Sequence, residues 1–419
     1  MPEGTAHLTS VAGAPLLDSN GDRLGRVDDV VARLDGSGEL PPLVGLKARI
    51  GGREMFVPIS NVAQLGPDTV KTSTTKLNLA QFERRPGEVL LRRDVLDHSL
   101  INVETAKLVT AREVELAQDG GRWRVTGIDS SLRPRLMRLI PRGMRSHDTE
   151  HRQFIAWSDL EPFLGHVPSS RLKLTSRRLA RLHPAQIADL VEAASHDEGA
   201  EILAAVGDDP ELEADVFEEL DDEHQVEFLK GRSDEEVAEV MARMETDDAA
   251  DLLLEIEQDR RLPILNELPA GKQRKIRALL SHNPSTAGGL MTPDFVAMAP
   301  TATIADTLAH LRATDPQALE IATICVVDDE RRYLGAVSFD ELLLSDPGTH
   351  LGDLLRGGVP SVTTDADLPE VAMLMTDYNL IALPVVDADG RPVGLIGVDD
   401  VLEQVLPDDW RRRGGSARD

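Results

Sequence analysis

Asn283-Pro284-Ser285-Thr286-Ala287-Gly288-Gly289-Leu290-Met291-Thr292-Pro293-Asp294-Phe295-Val296-Ala297-Met298 separates two differently patterned parts of a 419-residue chain. The stretch is small in side chain and almost uncharged. Gly288-Gly289 offers backbone angles closed to other residues, and Pro284 and Pro293 end regular structure on either side. It reads as a hinge, a docking joint or an ordinary turn between domains, and its neighbours decide which. Before it the chain is acidic with a helical period. After it the chain repeats itself once.

The repeat has an offset of 59 residues. Ile324-Cys325-Val326-Val327-Asp328 corresponds to Leu383-Pro384-Val385-Val386-Asp387, Gly335 to Gly394, Asp340 to Asp399 and Glu341 to Asp400. Each copy reads as strand, turn, Gly-started strand and acidic helix, preceded by an amphipathic helix over Thr303–Arg312 or Leu368–Tyr378. On the other side, Ile187, Leu190, Val191 and Ala194 open a series of short helices. These are expected at Ala200–Val206, Leu212–Leu220, Glu223–Lys230, Glu235–Met244, Asp247–Glu255 and Lys272–Leu280. Ser233-Asp234 and Thr246-Asp247 supply caps. Such a series predicts an α-solenoid of about 100 residues.

Charge is divided as sharply as pattern. Residues 1–182 hold 27 Lys+Arg against 22 Asp+Glu, whereas residues 183–419 hold 18 against 51. An excess of 33 acids argues against nucleic-acid binding by residues 183–419, because polyanions are bound by displacing their counterions with positive charge. It also opposes compaction unless cations screen it. Some of it serves solubility, and the remainder points to divalent cations. One cysteine, Cys325, excludes an internal disulfide framework and suits a reducing cytoplasm. No run of about 18 apolar residues predicts a membrane span, and MPEGTAHLTS has neither the basic nor the apolar part of a signal peptide. The expected localisation is cytoplasmic, with a peripheral position at the inner membrane face as an option.

METDDAADLLLEI, residues 244–256, with the helices before it and NPSTAGGLMTP after it, closely resembles the cytosolic region of the MgtE magnesium transporters. The resemblance runs from about 183 to 406, over half the chain. It implies an N helical domain at 183–282, a CBS module at 283–345 and a second at 346–406. It also implies a homodimer through the CBS modules, and Mg2+ bound between the N domain and the second module. Asp400 matches the second Asp of that family's "VDDVL", and Asp247, Asp248 and Asp251 are the N-domain candidates. Glu403, one turn beyond Asp400, completes the candidate metal ligands. Solvated helix N-termini, where Asp is favoured by the dipole, are the ordinary alternative for each. Magnesium prefers octahedral oxygen ligands and keeps several waters, so it suits loosely grouped carboxylates. Two carboxylates about 5 Å apart repel by roughly 3 kcal/mol at an effective dielectric near 20, which would hold acidic domains apart until an ion bridged them.

CBS pairs elsewhere hold adenine nucleotides with a Ser/Thr three residues before an Asp. Here Ser338 precedes Glu341 and Gly397 precedes Asp400, so each copy lacks one member. Ser338, Glu341 and Asp400 are the candidate nucleotide contacts. In the resembling transporters an acidic plug helix and a pore follow. Here Trp410-Arg411-Arg412-Arg413 leads to the end of the 407–419 tail, which implies control of a separate membrane cation transporter.

The N-terminal third reads as short strands: Val27–Val31, Leu43–Leu46 and Met55–Ile59, with Ser19-Asn20-Gly21-Asp22 as a hairpin turn. LLDSNGDRLGRVDDVVARL, with Gly25, Val27, Asp29 and Val30, resembles the opening of a PRC-barrel. A second, weaker match starts at Val89 and continues through Ile128. Residues 1–140 are therefore expected to form a PRC-barrel-like β region of one or two copies. Such barrels mediate protein or RNA contacts, and near-neutral charge favours protein. Residues 141–182 form a basic connector with Arg142, Arg145, Arg152, Arg171, Lys173, Arg177, Arg178 and Arg181, anchored by Trp157 and Phe163. His98, His147 and His151 lack ligand spacing.

The fold class is thus multidomain α+β: a β-barrel-like region, an α-solenoid helical domain and an α/β CBS pair. No nucleophile–base pair, metal-ligand cluster or phosphate loop marks an enzyme. The expected function is a magnesium-responsive regulator of divalent-cation transport acting through a partner. The alternatives are an adenine-nucleotide sensor and a PRC-barrel adaptor for RNA, ribosome or protein.

Overall fold

The computed structural model describes residues 4–34, 40–66, 69–75, 80–131, 154–162, 179–314, 318–355 and 359–406. Most of the basic connector, with His147, His151 and Phe163, and the tail with Trp410 and its arginines lie outside the described residues. The architecture is mixed α+β, and the chain divides into two compact units, Met1–Leu220 and Asp221–Asp419.

In the first unit, Arg23–Arg33, Leu43–Ile50 and Arg53–Pro58 form an antiparallel meander. The turn before it forms because Asp18 Oδ1 accepts the amides of Asn20 and Asp22, both at 2.9 Å, while Gly21 takes φ 93°. A second meander follows in Glu113–Asp119, Arg122–Asp129 and Ile155–Ala156. The two are repeats. Phe56-Val57-Pro58-Ile59-Ser60-Asn61-Val62 and Phe154-Ile155-Ala156-Trp157-Ser158-Asp159-Leu160 each run strand, 3-10 turn, strand. Gly45 and Gly127 hold equivalent places, and an added Cβ would meet the Phe56 ring at 2.5 Å in one and the Ile155 carbonyl oxygen at 2.5 Å in the other.

The copies cap each other. The turn Leu91–Val95 donates the Arg92 and Arg93 amides to Asp29, at 2.8 and 3.1 Å. The turn Leu8–Val11 donates the Thr9 amide to Glu113 at 2.9 Å. Both carboxylates are buried, and Val27, Val30, Leu46, Leu100, Val114, Ile128 and Trp157 share one core. Burying an acid is tolerable only when its lone pairs find donors, and here a neighbouring copy's turn supplies them. One boundary is corrected. Ile155–Ala156 and Leu160–Pro162 pair with Arg122–Asp129 and Ser99–Asn102, so residues 154–162 are part of this β structure rather than of a connector. Three capped helices complete the unit: Pro184–Ala193, His196–Val206 and Pro210–Glu218. Ser195 and Glu198 form a capping box that starts the second of these four residues earlier than its apolar pattern predicts.

The second unit opens with Asp222–Leu229, Asp234–Met241, Thr246–Glu255, Gln258–Glu267 and Ala270–Leu279. Two similar modules follow. In each a short parallel strand joins an antiparallel pair: Ala297–Met298 with Thr323–Val327 and Tyr333–Ser338, then Val362–Thr363 with Ala382–Val386 and Pro392–Gly397. Registers agree at the repeat offset, Ile324 opposite Val337 and Leu383 opposite Ile396, with a bulge at Val326/Val327 and again at Val385/Val386.

The stretch between helices and modules is not a loose hinge. The Ala287 and Gly288 amides donate to the carbonyls of Ala366 and Thr364, and Thr292 exchanges both backbone bonds with Leu395. Ala287, Met291 and Thr292 are buried. Residues 287–292 therefore pack onto the second module. Neither Gly288 nor Gly289 takes a positive φ. They are glycine because of crowding: a Cβ on Gly289 would sit 2.4 Å from the Asn283 carbonyl oxygen and 2.5 Å from Pro284 Cα.

Candidate metal centre

Thr246–Glu255 buries Thr246, Ala249, Ala250 and Leu253, the i, i+3, i+4, i+7 face expected of a helix packed on one side. That packing turns Asp247 inward as well. Asp247 is 8% exposed, and its Oδ1 is buried with no hydrogen-bond partner. Its carboxyl is held well above the usual range, first by burial and then by the charge of Asp400.

Asp400 reaches this point from the other side. It sits in the first turn of Val398–Val405, where one oxygen accepts the Gly397 amide at 3.0 Å. Its pKa is raised to about 6, chiefly by burial, then by Asp399, against the lowering effect of that amide, with Glu245 and Glu403 adding to the rise. Two helix first turns thus each place an acid within electrostatic reach of the other. Their dipoles favour carboxylates individually. Burial and mutual repulsion outweigh that preference here.

The cluster extends in two directions. Asp251, one turn beyond Asp247 and exposed at the surface, is raised to about 6 by partial desolvation and then by Asp222, Glu255 and Glu403. Glu245, at the N-cap, is raised by burial and then by Asp399, Asp294 and Glu320, with Lys272 opposing. Thr246 donates to Asp294 at 2.7 Å and Lys275 pairs with the same carboxylate, so Asp294 ties the helical segment to the stretch before the first module.

The structure brings together Asp247, Asp251, Asp400 and Glu403. Asp248 lies one step round the helix, half-buried. Glu245, Asp294 and Asp399 join the cluster although sequence reasoning did not single them out. Asp399 was visible only as a member of the repeat, and Asp294 as the acid within the opening stretch. Ser338 and Glu341 sit together in the first module, where the Ser338 amide and hydroxyl both donate to Glu341 at 3.1 Å. They form a capping box for Phe339–Leu344. Gly397 and Asp400 make the corresponding amide contact in the second module.

The donor set suits a hard divalent cation. All the candidate ligands are oxygens, and one is buried and orphaned at the centre. Among the described residues, no three of these carboxylates place oxygens within 4.8 Å of one another. An ion here would keep part of its water shell and bridge through it, as magnesium does more readily than calcium.

Comparisons with known proteins bear on the domains that carry these residues. Residues 182–285 match the MgtE intracellular N domain, and residues 287–347 and 351–407 each match a CBS domain. The magnesium transporter MgtE of Thermus thermophilus is 43% identical over 129 residues, 31% of this chain and 29% of that protein. The Enterococcus faecalis magnesium transporter MgtE is 32% identical over 131 residues, with the same shares. The chain spans under a third of the length of these curated relatives. A crystal structure of the cytosolic domain of the Mg2+ channel MgtE in complex with ATP superposes with TM-score 0.52 at 33% identity, covering 55% of this chain and 93% of that one. The soluble part of a magnesium transporter superposes with TM-score 0.51 at 27% identity, covering 55% and 90%. This chain carries an MgtE N domain and a CBS pair, and among the described residues no helix is long and apolar enough to cross a membrane.

Proposed function

We propose, from the premise of an MgtE N domain joined to a CBS pair, that residues 182–407 sense magnesium and relay its level to divalent-cation transport through a membrane partner. The observation that carries this reading is the buried, orphaned Asp247 carboxylate facing Asp400. With the site metal-free, the two acidic first turns repel and the helical segment is driven off the second module. A hydrated cation between them reverses the sign of that interaction. The chain's own residues do the rest: Gly397 orients Asp400, while Lys275 and Thr246 hold Asp294 and keep the helical segment in register. No bond of the ligand is broken in this scheme, and the reading is of a sensor rather than an enzyme. Limited proteolysis of the full chain at 0 and about 10 mM magnesium tests it. Magnesium should protect the segment between residues 279 and 300 against cleavage, and Asp400→Ala should abolish that protection. Identical digestion patterns with and without the ion would rule the reading out.

The CBS modules also fit a homodimer. Leu343 and Leu402, equivalent positions in the repeat, are 62% and 49% exposed, and Leu344, Met373, Tyr378 and Val405 are exposed as well. Large apolar side chains left on module helices are the signature of a surface covered by a partner. Replacing Leu343 and Leu344 with lysine is expected to convert a dimer to a monomer in light scattering. An unchanged mass would overturn this assignment. A nucleotide is a second ligand for the pair, supported by the ATP in the related cytosolic domain. Calorimetry with ATP, ADP and AMP separates this ligand from magnesium, which needs none of them.

A further inference from the structure

The first unit contains a cleft that the sensor reading leaves unused. It has a volume of about 350 Å3 and is lined by Asp28, Asp29, Lys47, Arg49, Glu54, Leu90, Arg92 and Arg93. One wall is the solvent face of the meander. There Lys47 pairs with Glu54 at 2.9 Å and Arg49 with Asp28 at 3.2 Å, so these two cations are already answered within the wall. The facing wall is the turn Leu91–Val95, which carries Arg92 and Arg93 side by side, both exposed.

That turn is held rigidly. Asp29 is 5% exposed and accepts the amides of both arginines. Asp94 accepts the Leu90 amide at 2.7 Å and pairs with Arg84 at 3.0 Å, and the Arg93 carbonyl oxygen contacts His98 Nε2 at 3.0 Å. All of this fixes the backbone and uses neither guanidinium, apart from a long 3.4 Å contact from Arg92 to the Asp28 carbonyl oxygen. The twin copy shows that the fold does not require arginine here. Its equivalent turn, Leu8–Val11, caps Glu113 with the amide and hydroxyl of Thr9 and carries Thr9 and Ser10 at the corresponding places. The arginine pair therefore belongs to the surface of one copy rather than to the architecture of both.

The lining sets the chemistry of the occupant. With four cations and three acids the cleft is nearly neutral and of mixed sign. A phosphate dianion would meet Asp28 and Glu54 as well as the arginines, and a nucleic-acid backbone would meet them repeatedly. Small-molecule pockets are mostly apolar, whereas Leu90 is the sole apolar residue among those lining this cleft. Mixed, pre-paired charge around two rigid guanidiniums matches a protein surface, where complementary pairs set register and exclude wrong partners. Arginine forks bind carboxylates bidentately. We propose that this cleft docks a polypeptide segment that presents a carboxylate to Arg92 and Arg93 and a basic side chain that shares Asp28 and Glu54 with their partners Arg49 and Lys47.

The test uses the full chain and a fluorescein-labelled dodecapeptide alternating glutamate and lysine, read by anisotropy at low salt without magnesium. Saturable binding is expected, weakened at least about tenfold by the double change Arg92→Gln and Arg93→Gln, since two charge-assisted bonds are lost. Both side chains are exposed, so the melting temperature should not move. Arg53→Gln, an exposed arginine outside the cleft, should bind as the parent does. Three results would each overturn the proposal: no saturable binding, equal binding by the double variant, or displacement of the peptide by millimolar inorganic phosphate or by a single-stranded RNA 20-mer. The last two competitors separate a phosphate site and an RNA site from a peptide site.

Discussion

Asp247→Asn should raise the melting temperature of the metal-free protein and remove most of the stabilisation that magnesium confers. The parent side chain is a carboxylate at 8% exposure whose Oδ1 has no hydrogen-bond partner and whose nearest charges are acids. Keeping such a group buried costs either the desolvation of its ionised form or the uptake of a proton that the unfolded chain has released, and a neutral amide meets neither cost. Removing the charge should return roughly 1–2 kcal/mol, after allowing for the amide that must still be satisfied. For a unit of this size that is about 2–8 °C. The magnesium effect should move the other way. A ligand present at a hundred times its Kd adds about 2.7 kcal/mol to a folded state that alone binds it. Without the Asp247 charge that increment should fall below 1 kcal/mol. Differential scanning calorimetry at 0 and 10 mM magnesium reads both quantities. A variant less stable than the parent without metal would show that Asp247 has a structural partner and is not poised for an ion.

The same cluster sets a pH dependence whose sign is opposite to that of a salt-bridged acid. Asp251 and Asp400 are raised from 3.8 to about 6, and Glu245 and Asp247 are raised as well. In the folded protein these groups hold protons that the unfolded chain has released. Stability of the metal-free protein should therefore fall as pH climbs from about 4 through about 8, first through the Asp251 and Asp400 values near 6 and then through that of Asp247, with the whole penalty present above the folded values. Magnesium competes with those protons. Its stabilising effect should accordingly be small near pH 4.5 and large above pH 7.

How far this site could be read in advance depends on what each residue contributes. The 59-residue repeat was legible because a strand pair with one buried face imposes its pattern twice, and Gly335 and Gly394 mark the same place in each copy. Asp247 and Asp251 were visible as acids one turn apart on a helix that also carries Asp248 and Glu255. Their difference from Asp248 was not, because burial depends on which face packs. Glu245, Asp294 and Glu320 converge through tertiary contacts over 75 residues of chain, and no local spacing encodes that. Gln258–Glu267 escaped detection because Pro263 and two arginines break its apolar period; Arg261 instead donates to the Ile256 carbonyl oxygen at 2.7 Å, and Arg260 to Asp234 at 2.7 Å. In the β region the second copy was weak at its start. The strong signal lay in FVPISNV against FIAWSDL, and the second of these fell inside a segment assigned to the connector by its positive charge.

Glycine at 288 and 289 can answer a need for flexibility or a lack of space, and Gly289→Ala distinguishes the two explanations by sign. If glycine were there to keep a hinge flexible, alanine would stiffen the unfolded chain and leave the folded state untouched. A compatible Gly→Ala change of that kind stabilises by about 0.4–1 kcal/mol. The backbone at 289 is not in the left-handed region, so the dihedral angles permit alanine. The space does not. An added Cβ would lie 2.4 Å from the Asn283 carbonyl oxygen, 2.5 Å from Pro284 Cα and 2.8 Å from the Pro284 carbonyl carbon. All three are backbone atoms, and Thr286 ties this turn down by donating its hydroxyl to the same Asn283 oxygen at 2.8 Å. Relief requires residues 287–292 to lift from the second module, at the expense of the amide bonds to Ala366 and Thr364 and the exchange with Leu395. Overpacking of this kind costs about 1–3 kcal/mol. Chemical denaturation should place Gly289→Ala below the parent by that amount. Asp294 follows the lifted segment by two residues and would be displaced with it, so the variant should need more magnesium to reach the same protection from proteolysis. A variant as stable as the parent, with an unchanged magnesium midpoint, would restore the hinge.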